Sequence, residues 1–291
     1  MDTDTLKAFI AVAESGSFSI AAERLHLTQP AISKRIANLE GNLNTRVFDR
    51  VGKQVVLTEA GHALLPRALH ILEEFKDTRR AIHNLSGTVS GSLHLSISHH
   101  IGLHRLPSVL REYTKRYPHV ELHLDFLESE VAYDAVSHGR IELALITLTP
   151  TPSTQVNAVT VWKDALHIVA TPNHPLHKTP NLKLMDLEQH KAILPDTNTF
   201  TRQIADAFFA KHKLVLAITT TTNYLETIKM MVSVGLAWSI LPETMLDKQV
   251  KSLNIPTFNL TRDLGYIYHK HKTLSNAARA FVELLNEYKD Q

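Results

Sequence analysis

The chain has 291 residues, 44% hydrophobic and 21% charged, with a formal charge of +2 and no cysteine. This length suits two or more domains, and the lack of cysteine excludes disulfides, thiolate nucleophiles, thiol redox sensing and cysteine zinc sites within it. A near-neutral total also excludes a polycation that coats nucleic acid, so any attraction for phosphate has to be local.

No run approaches the roughly 18 apolar residues of a membrane span. The opening MDTDTLKAFIAVAESGSF lacks the basic start and apolar core of a secretory signal, so a cytoplasmic protein without membrane attachment is expected.

Residues 1–57 read as short helices followed by a hairpin. Leu6, Phe9, Ile10 and Ala13 make a helical stripe that stops at Gly16, with Ser17 placed to start a second helix. Phe18, Ala21, Ala22 and Leu25 form the next apolar face. After a turn at His26 and Leu27, Thr28 is a natural N-cap, and Pro30 falls in the first turn, where its missing N–H costs nothing. Ile32, Ile36 and Leu39 face inward. Gln29, Pro30, Ser33 and Lys34 then lie outward near the N-terminus, the layout of a recognition helix meeting base edges in the major groove. A three-helix corner with a solvated polar face fits these residues alone equally well.

The following residues favour DNA. Between Arg24 and Lys53 stand six basic side chains against Glu40 and Asp49. RVFDR at 46–50, a turn at 51–54 and VVL at 55–57 predict a basic hairpin beside the helices, placed as a wing toward the DNA backbone or minor groove. Glu40 and Asp49 cannot favour phosphate and are expected to be structural.

Residues 58–90 read as one long linker helix opened by Thr58 and Glu59. Leu65, Ala68, Leu72, Phe75, Arg79 and Ile82 follow at spacings of three and four, a narrow coiled-coil seam. About 30 helical residues extend about 45 Å, which predicts a dimerisation helix, bent early by Pro66.

The remainder alternates strands and helices: strands at 93–97, 120–126 and 141–146, with helices at 101–116 and 129–138, read as a parallel α/β unit. A second unit has strands near 165–171, 192–194, 215–218 and 236–241 and helices near 200–212 and 222–233. A strand at 264–268 and a helix at 275–289 finish the chain. The expected domains are 1–57, the linker 58–90, a first lobe of 91–161 plus 264–291, and a second lobe of 162–263, with a cleft between the lobes.

SFSIAAERLHLTQPAISKRIANLE, RVFDR, LTEAGHALLP, HGRIELALI and MVSVGLAWSILPE together make the whole chain resemble the LysR-type transcriptional regulators. The resemblance implies a winged helix-turn-helix, a long linker helix and a two-lobed Rossmann-like effector domain of the type 2 periplasmic-binding-protein kind, α/β overall. It implies a cytoplasmic DNA-binding regulator; no cofactor is expected. It also implies a homodimer through residues 58–88, assembled further into a tetramer, and a small-molecule effector between the lobes. Carried onto this sequence, Gln29, Pro30, Ser33 and Lys34 match base-facing positions. Thr28, Arg35, Arg50 and Lys53 match phosphate or wing positions.

The effector cleft is expected at strand ends, where helix N-termini aim N–H groups inward. The residues are Ser98, His99, His100, Glu128, Thr147, Thr197, Thr199, Thr201 and Thr222, with Arg202 adding charge if it turns inward. This hydroxyl density suits an oxygen-rich anion such as a small carboxylate, although serine and threonine also cap helices. His99 and His100 depart from the family's usual small polar residue there, so the effector class stays open.

His100 and His104 stand one helical turn apart among 18 histidines, which suits two metal ligands, but the sequence offers no convincing third ligand. The expectation is therefore no metal, with a metal- or pH-responsive regulator as the alternative. An α/β enzyme is the other alternative, and the chain has no GxSxG, no GxGxxG after a strand and no HExxH.

Overall fold

The computed structural model describes residues 2–51, 54–85 and 87–289. The chain divides into two compact units at 85/86.

The first unit opens with α1 (Thr3–Ser15), where Asp2 accepts from the Thr5 N–H at 2.7 Å and Gly16 closes the helix in the left-handed conformation at φ 61°. Ser17 caps α2 (Phe18–Arg24), and Thr28 caps α3 (Gln29–Leu43) by accepting from the Ala31 N–H. Phe9, Ala21, Ile32, Ile36 and Leu39 are buried together. Strands β1 (Phe48–Val51) and β2 (Gln54–Leu57) form the expected antiparallel hairpin, with Phe48 opposite Leu57. Glu40 has the structural role expected of it: its Oε1 accepts from the N–H groups of Val47 and Phe48 and ties α3 to the hairpin. Asp49 is instead exposed on β1.

Helix α4 (Glu59–Asn84) runs through Pro66 for 26 residues. It stops short of the predicted 90. Thr58 opens it, accepting from the Gly61 N–H at 3.0 Å. Its seam is divided: Ala68 is buried and Leu64, Leu65, Leu69 and Leu72 pack on the unit's own core, whereas Phe75 and Ile82 are 50% and 64% exposed. The part that packs on its own chain therefore ends near Leu72.

The second unit carries β3 (Gly91–Ile97), α5 (His99–His104), α6 (Leu106–Arg116), β4 (Val120–Phe126), α7 (Ser129–Ser137) and β5 (Leu143–Thr147). The single helix predicted over 101–116 is two, because Pro107 has no N–H with which to continue the first. Next come β6 (Val156–Ala170), β7 (Ala192–Leu194), α8 (Phe200–Lys211), β8 (Ile218–Thr221), α9 (Leu225–Ser233), β9 (Ser239–Pro242), β10 (Lys251–Ser252), β11 (Leu260–His269) and α10 (Asn276–Glu287). The strand predicted at 215–218 lies later, as β8.

The sheet order is β10-β6-β11-β5-β3-β4, with β9 also on β6 and a separate β7-β8 pair. β3 runs parallel to β4 and β5, as predicted, but β11 is antiparallel to both β5 and β6. The sheet is therefore mixed. The lobe boundaries expected at 161/162 and 263/264 fall inside β6 and β11, the long strands shared by both halves. One half's core gathers Leu93, Ile97, Tyr113, Trp162 and Phe281, and the other's gathers Ile168, Leu187, Leu194, Phe209 and Trp238.

Candidate nucleic-acid interface and ligand cavity

On α3 the inward stripe leaves a polar outer face. Gln29, Pro30 and Lys34 are exposed, Ser33 is half-buried, and Thr28 is exposed at the cap. Gln29 Nε2 donates to Ser33 Oγ at 3.0 Å, so two of the expected base readers bond each other one turn apart. Arg35 donates from Nη1 to the backbone oxygen of Asp4 at 3.3 Å, which ties α3 to the start of α1. Lys53 and the side chain of Arg50 lie outside the described residues.

In the second unit, four chain segments that each begin a helix converge on a cavity of about 100 Å³. Of the expected effector residues, Ser98, His99, His100, Glu128, Thr147, Thr199 and Thr201 line it. Thr197, Arg202 and Thr222 do not. Arg202 is buried with its guanidinium already engaged, donating from Nε to Asp206 Oδ1 at 2.7 Å and from Nη1 to the Pro195 oxygen at 2.9 Å.

The cavity's cation is Arg262. It stands directly opposite Asp164 in the β6–β11 register, and the two are 3% and 1% exposed. Arg262 Nε donates to Asp164 Oδ2 at 2.9 Å and Nη1 donates to Thr201 Oγ1 at 2.9 Å. Arg262 Nη2 is 2.8 Å from the same carboxylate oxygen but is not aligned to hydrogen-bond it. Arg105 Nη2 donates to the other oxygen, Asp164 Oδ1, at 3.2 Å. Burial draws the Arg262 pKa down and Asp164 opposes that shift. Ser98 Oγ and both ring nitrogens of His100 are buried with no hydrogen-bond partner among the described residues.

Polar contacts join the two halves across the cavity. Asn223 Nδ2 donates to Glu128 Oε1 at 2.8 Å, and the Phe200 N–H at the start of α8 donates to Glu130 Oε1. Burial raises the Glu130 pKa, with the Phe200 N–H pulling the other way. His99 stacks at a tilt on Tyr224, ring centroids 5.1 Å apart. Sequence reasoning missed Arg262, Asp164, Glu130, Tyr224 and Glu226. Asp164 and Arg262 carried a readable signal: each occupies an inward position of a strand's in-and-out alternation, where an unpaired charge is too costly to keep.

Comparison with known proteins agrees with the fold of both units. The family described as LysR substrate binding domain matches residues 86–290, and the bacterial regulatory helix-turn-helix protein, lysR family, matches residues 3–62. An HTH-type transcriptional regulator from the ibpB–leuC intergenic region of Azotobacter vinelandii is 69% identical over 107 residues, covering 37% of this chain and 74% of that one. YeiE of Escherichia coli K12, also an HTH-type transcriptional regulator, is 32% identical over 96% of this chain and 94% of its own. Full-length CbnR, solved in complex with its target DNA, has the same fold at a TM-score of 0.70 and 22% identity, covering 99% of this chain and 100% of that one. A winged helix-turn-helix unit joined to an α/β ligand-binding unit, matched over nearly its whole length, makes this chain a member of the LysR family of DNA-binding transcriptional regulators.

Proposed function

We propose that α3 reads operator bases through Gln29, Pro30, Ser33 and Lys34 while Thr28, Arg35, Arg50 and Lys53 meet the phosphate backbone, and that a small oxyanion in the cavity switches the regulator. The DNA half is supported by the open polar face of α3 and by the fold shared with CbnR, which is solved on its target DNA.

The effector half rests on one observation: the buried donors Ser98 Oγ, Arg262 Nη2 and the His100 ring make no hydrogen bond among the described residues, Nη2 being paired with Asp164 by charge alone. Leaving a buried polar group unpaired costs about 1–3 kcal/mol, and an oxygen-rich anion supplies the missing acceptors. Glu128, Glu130 and Glu226 also line the cavity, which disfavours a large polyanion. Glu128 and Glu130 already accept from Asn223 and Phe200, so part of that negative charge is engaged by the cavity's own N–H groups. The cavity is well below the ~300–1,000 Å³ of sites for drug-sized ligands.

Assembly follows from α4. Its second half presents Phe75, Ile82 and the following Leu85, all exposed, and burying such side chains against a second copy stabilises by ~1.5–3 kcal/mol each. We read a homodimer through residues 58–88, paired into a tetramer and acting in the cytoplasm. No helix among the described residues is long and apolar enough to cross a membrane.

The test uses the chelator-treated full-length chain and a duplex from upstream of its own coding region, titrated with acetate and with sulfate. An anion shifts the affinity for the duplex, and Ser98→Ala requires roughly ten- to a hundredfold more anion for the same shift, the value of one hydrogen bond to a charged group. Equal anion response in the wild type and Ser98→Ala contradicts the effector reading, and failure to bind any such duplex contradicts the DNA reading.

A further inference from the structure

We propose a second site on the wall of the same cavity: a transition-metal dication held by His100 and His104 of α5 and by Glu226 of α9. One ligand atom from each of the three lies within 4.8 Å of the others. The histidines are one turn apart on one face of α5, with ring centroids 4.8 Å apart. His104 Nε2 is 3.2 Å from Glu226 Oε1.

The independent pointer to a ligand is His100. It is 6% exposed, and neither ring nitrogen has a hydrogen-bond partner among the described residues. Asp164 Oδ2 stands 3.7 Å from its Nε2, beyond hydrogen-bond reach, and is already held by Arg262. A neutral imidazole has one N–H to donate and one lone pair to give to a metal. Donating that N–H to the cavity anion and giving the lone pair to a metal would use both nitrogens.

Two imidazoles and one carboxylate select Zn²⁺, Co²⁺ or Ni²⁺ over Mg²⁺ and Ca²⁺, which prefer all-oxygen sites. The electrostatics tolerate a dication: Glu128, Glu130 and Glu226 line the cavity and Asp164 lies behind it, against the guanidinium groups of Arg262 and Arg105. Three protein ligands leave a fourth position open, and it faces the cavity because His100 and Glu226 line it. Bonds of about 2.0–2.1 Å at a tetrahedral metal set ligand atoms roughly 3.3 Å apart, and His104 and Glu226 already stand at 3.2 Å. α5 and α9 belong to opposite halves of the unit, so the metal bridges the two across the cavity. This inference goes beyond the anion reading and does not depend on it.

The test is calorimetry of the full-length chain, stripped with a chelator and free of added anion, titrated with Zn²⁺. The optical spectrum of the Co²⁺-loaded chain is recorded alongside. The expected result is one Zn²⁺ per chain, with His104→Gln and Glu226→Gln each weakening it at least about tenfold and abolishing the four-coordinate Co²⁺ absorption. Weak binding at other histidines is common to all three proteins and cancels in the comparison. Zn²⁺ binding that is unchanged in either variant overturns the site. His104 has no part in the anion site, so the anion response of stripped His104→Gln fails only if the anion reading itself is wrong.

Discussion

The DNA-facing side of α3 and the ligand cavity are held in place by opposite means. Each α3 residue is positioned by close neighbours: Thr28 caps the first turn, Gln29 bonds Ser33 four residues on, and Ile32, Ile36 and Leu39 anchor the opposite face. The cavity is assembled from segments around 98–100, 128–130, 199–201 and 223–226, closed beneath by the β6–β11 pair. Its charges neutralise one another across the chain, as Asp164 does for Arg105 and Arg262. Changes on the α3 face should therefore act on DNA rather than on folding, with coupling confined to the bonded pair Gln29 and Ser33, whereas changes in the cavity should couple to one another and to folding.

The sharpest break of that contrast is at Asp164. Removing it leaves Arg262 buried without its carboxylate, so Asp164→Ala should lower stability by about 3–5 kcal/mol in urea unfolding. Adding Arg262→Leu should recover part of the loss, and simple additivity of the two changes would show that the cavity is not networked. Next in size, Phe75→Glu puts a charge on the open half of the α4 seam and forfeits ~1.5–3 kcal/mol of burial per chain. Sedimentation should show more monomer with unfolding of the isolated chain little changed, because Phe75 is half exposed in the protomer.

Ser33→Ala comes third. Losing one hydrogen bond at a base edge costs about 0.5–1.5 kcal/mol, so preference among operator variants should blur while the melting temperature holds. Smallest is Lys53→Ala, which should weaken all sequences alike and flatten the logarithmic salt dependence by up to about one unit. A changed base preference in that variant would assign Lys53 to reading rather than to positioning.

The same contrast decides what could be read from the sequence. Caps, turns and apolar spacing are short-range, so the start of α3 at Thr28, the left-handed Gly16 and the wing hairpin appear in the chain as written. Seven of the ten expected cavity residues reached the cavity because strand ends followed by helix starts are also local signals. The pairing of Asp164 with Arg262 is not local: it depends on the antiparallel register of two strands 98 residues apart. Reading only 165–171 of β6 and 264–268 of β11 as strand left both charges outside any element, and so hid them. Arg202 is a different case: Asp206 stands one turn on in the helix read near 200–212, a local signal left unused, while the Pro195 oxygen is brought to it by the turn before α8. Glu226, four residues beyond the last expected cavity position, is the third ligand of the proposed metal site, brought to the two histidines from the other half of the unit.

The most direct test of α3 as the base reader is the ratio of affinities for operator and for scrambled duplex of equal length. It should be measured at one salt concentration for the wild type and for Gln29→Ala with Ser33→Ala. A ratio collapsing toward one, with scrambled-duplex affinity and melting temperature unchanged, is the predicted result. An unaltered ratio would contradict it and move sequence reading to another surface.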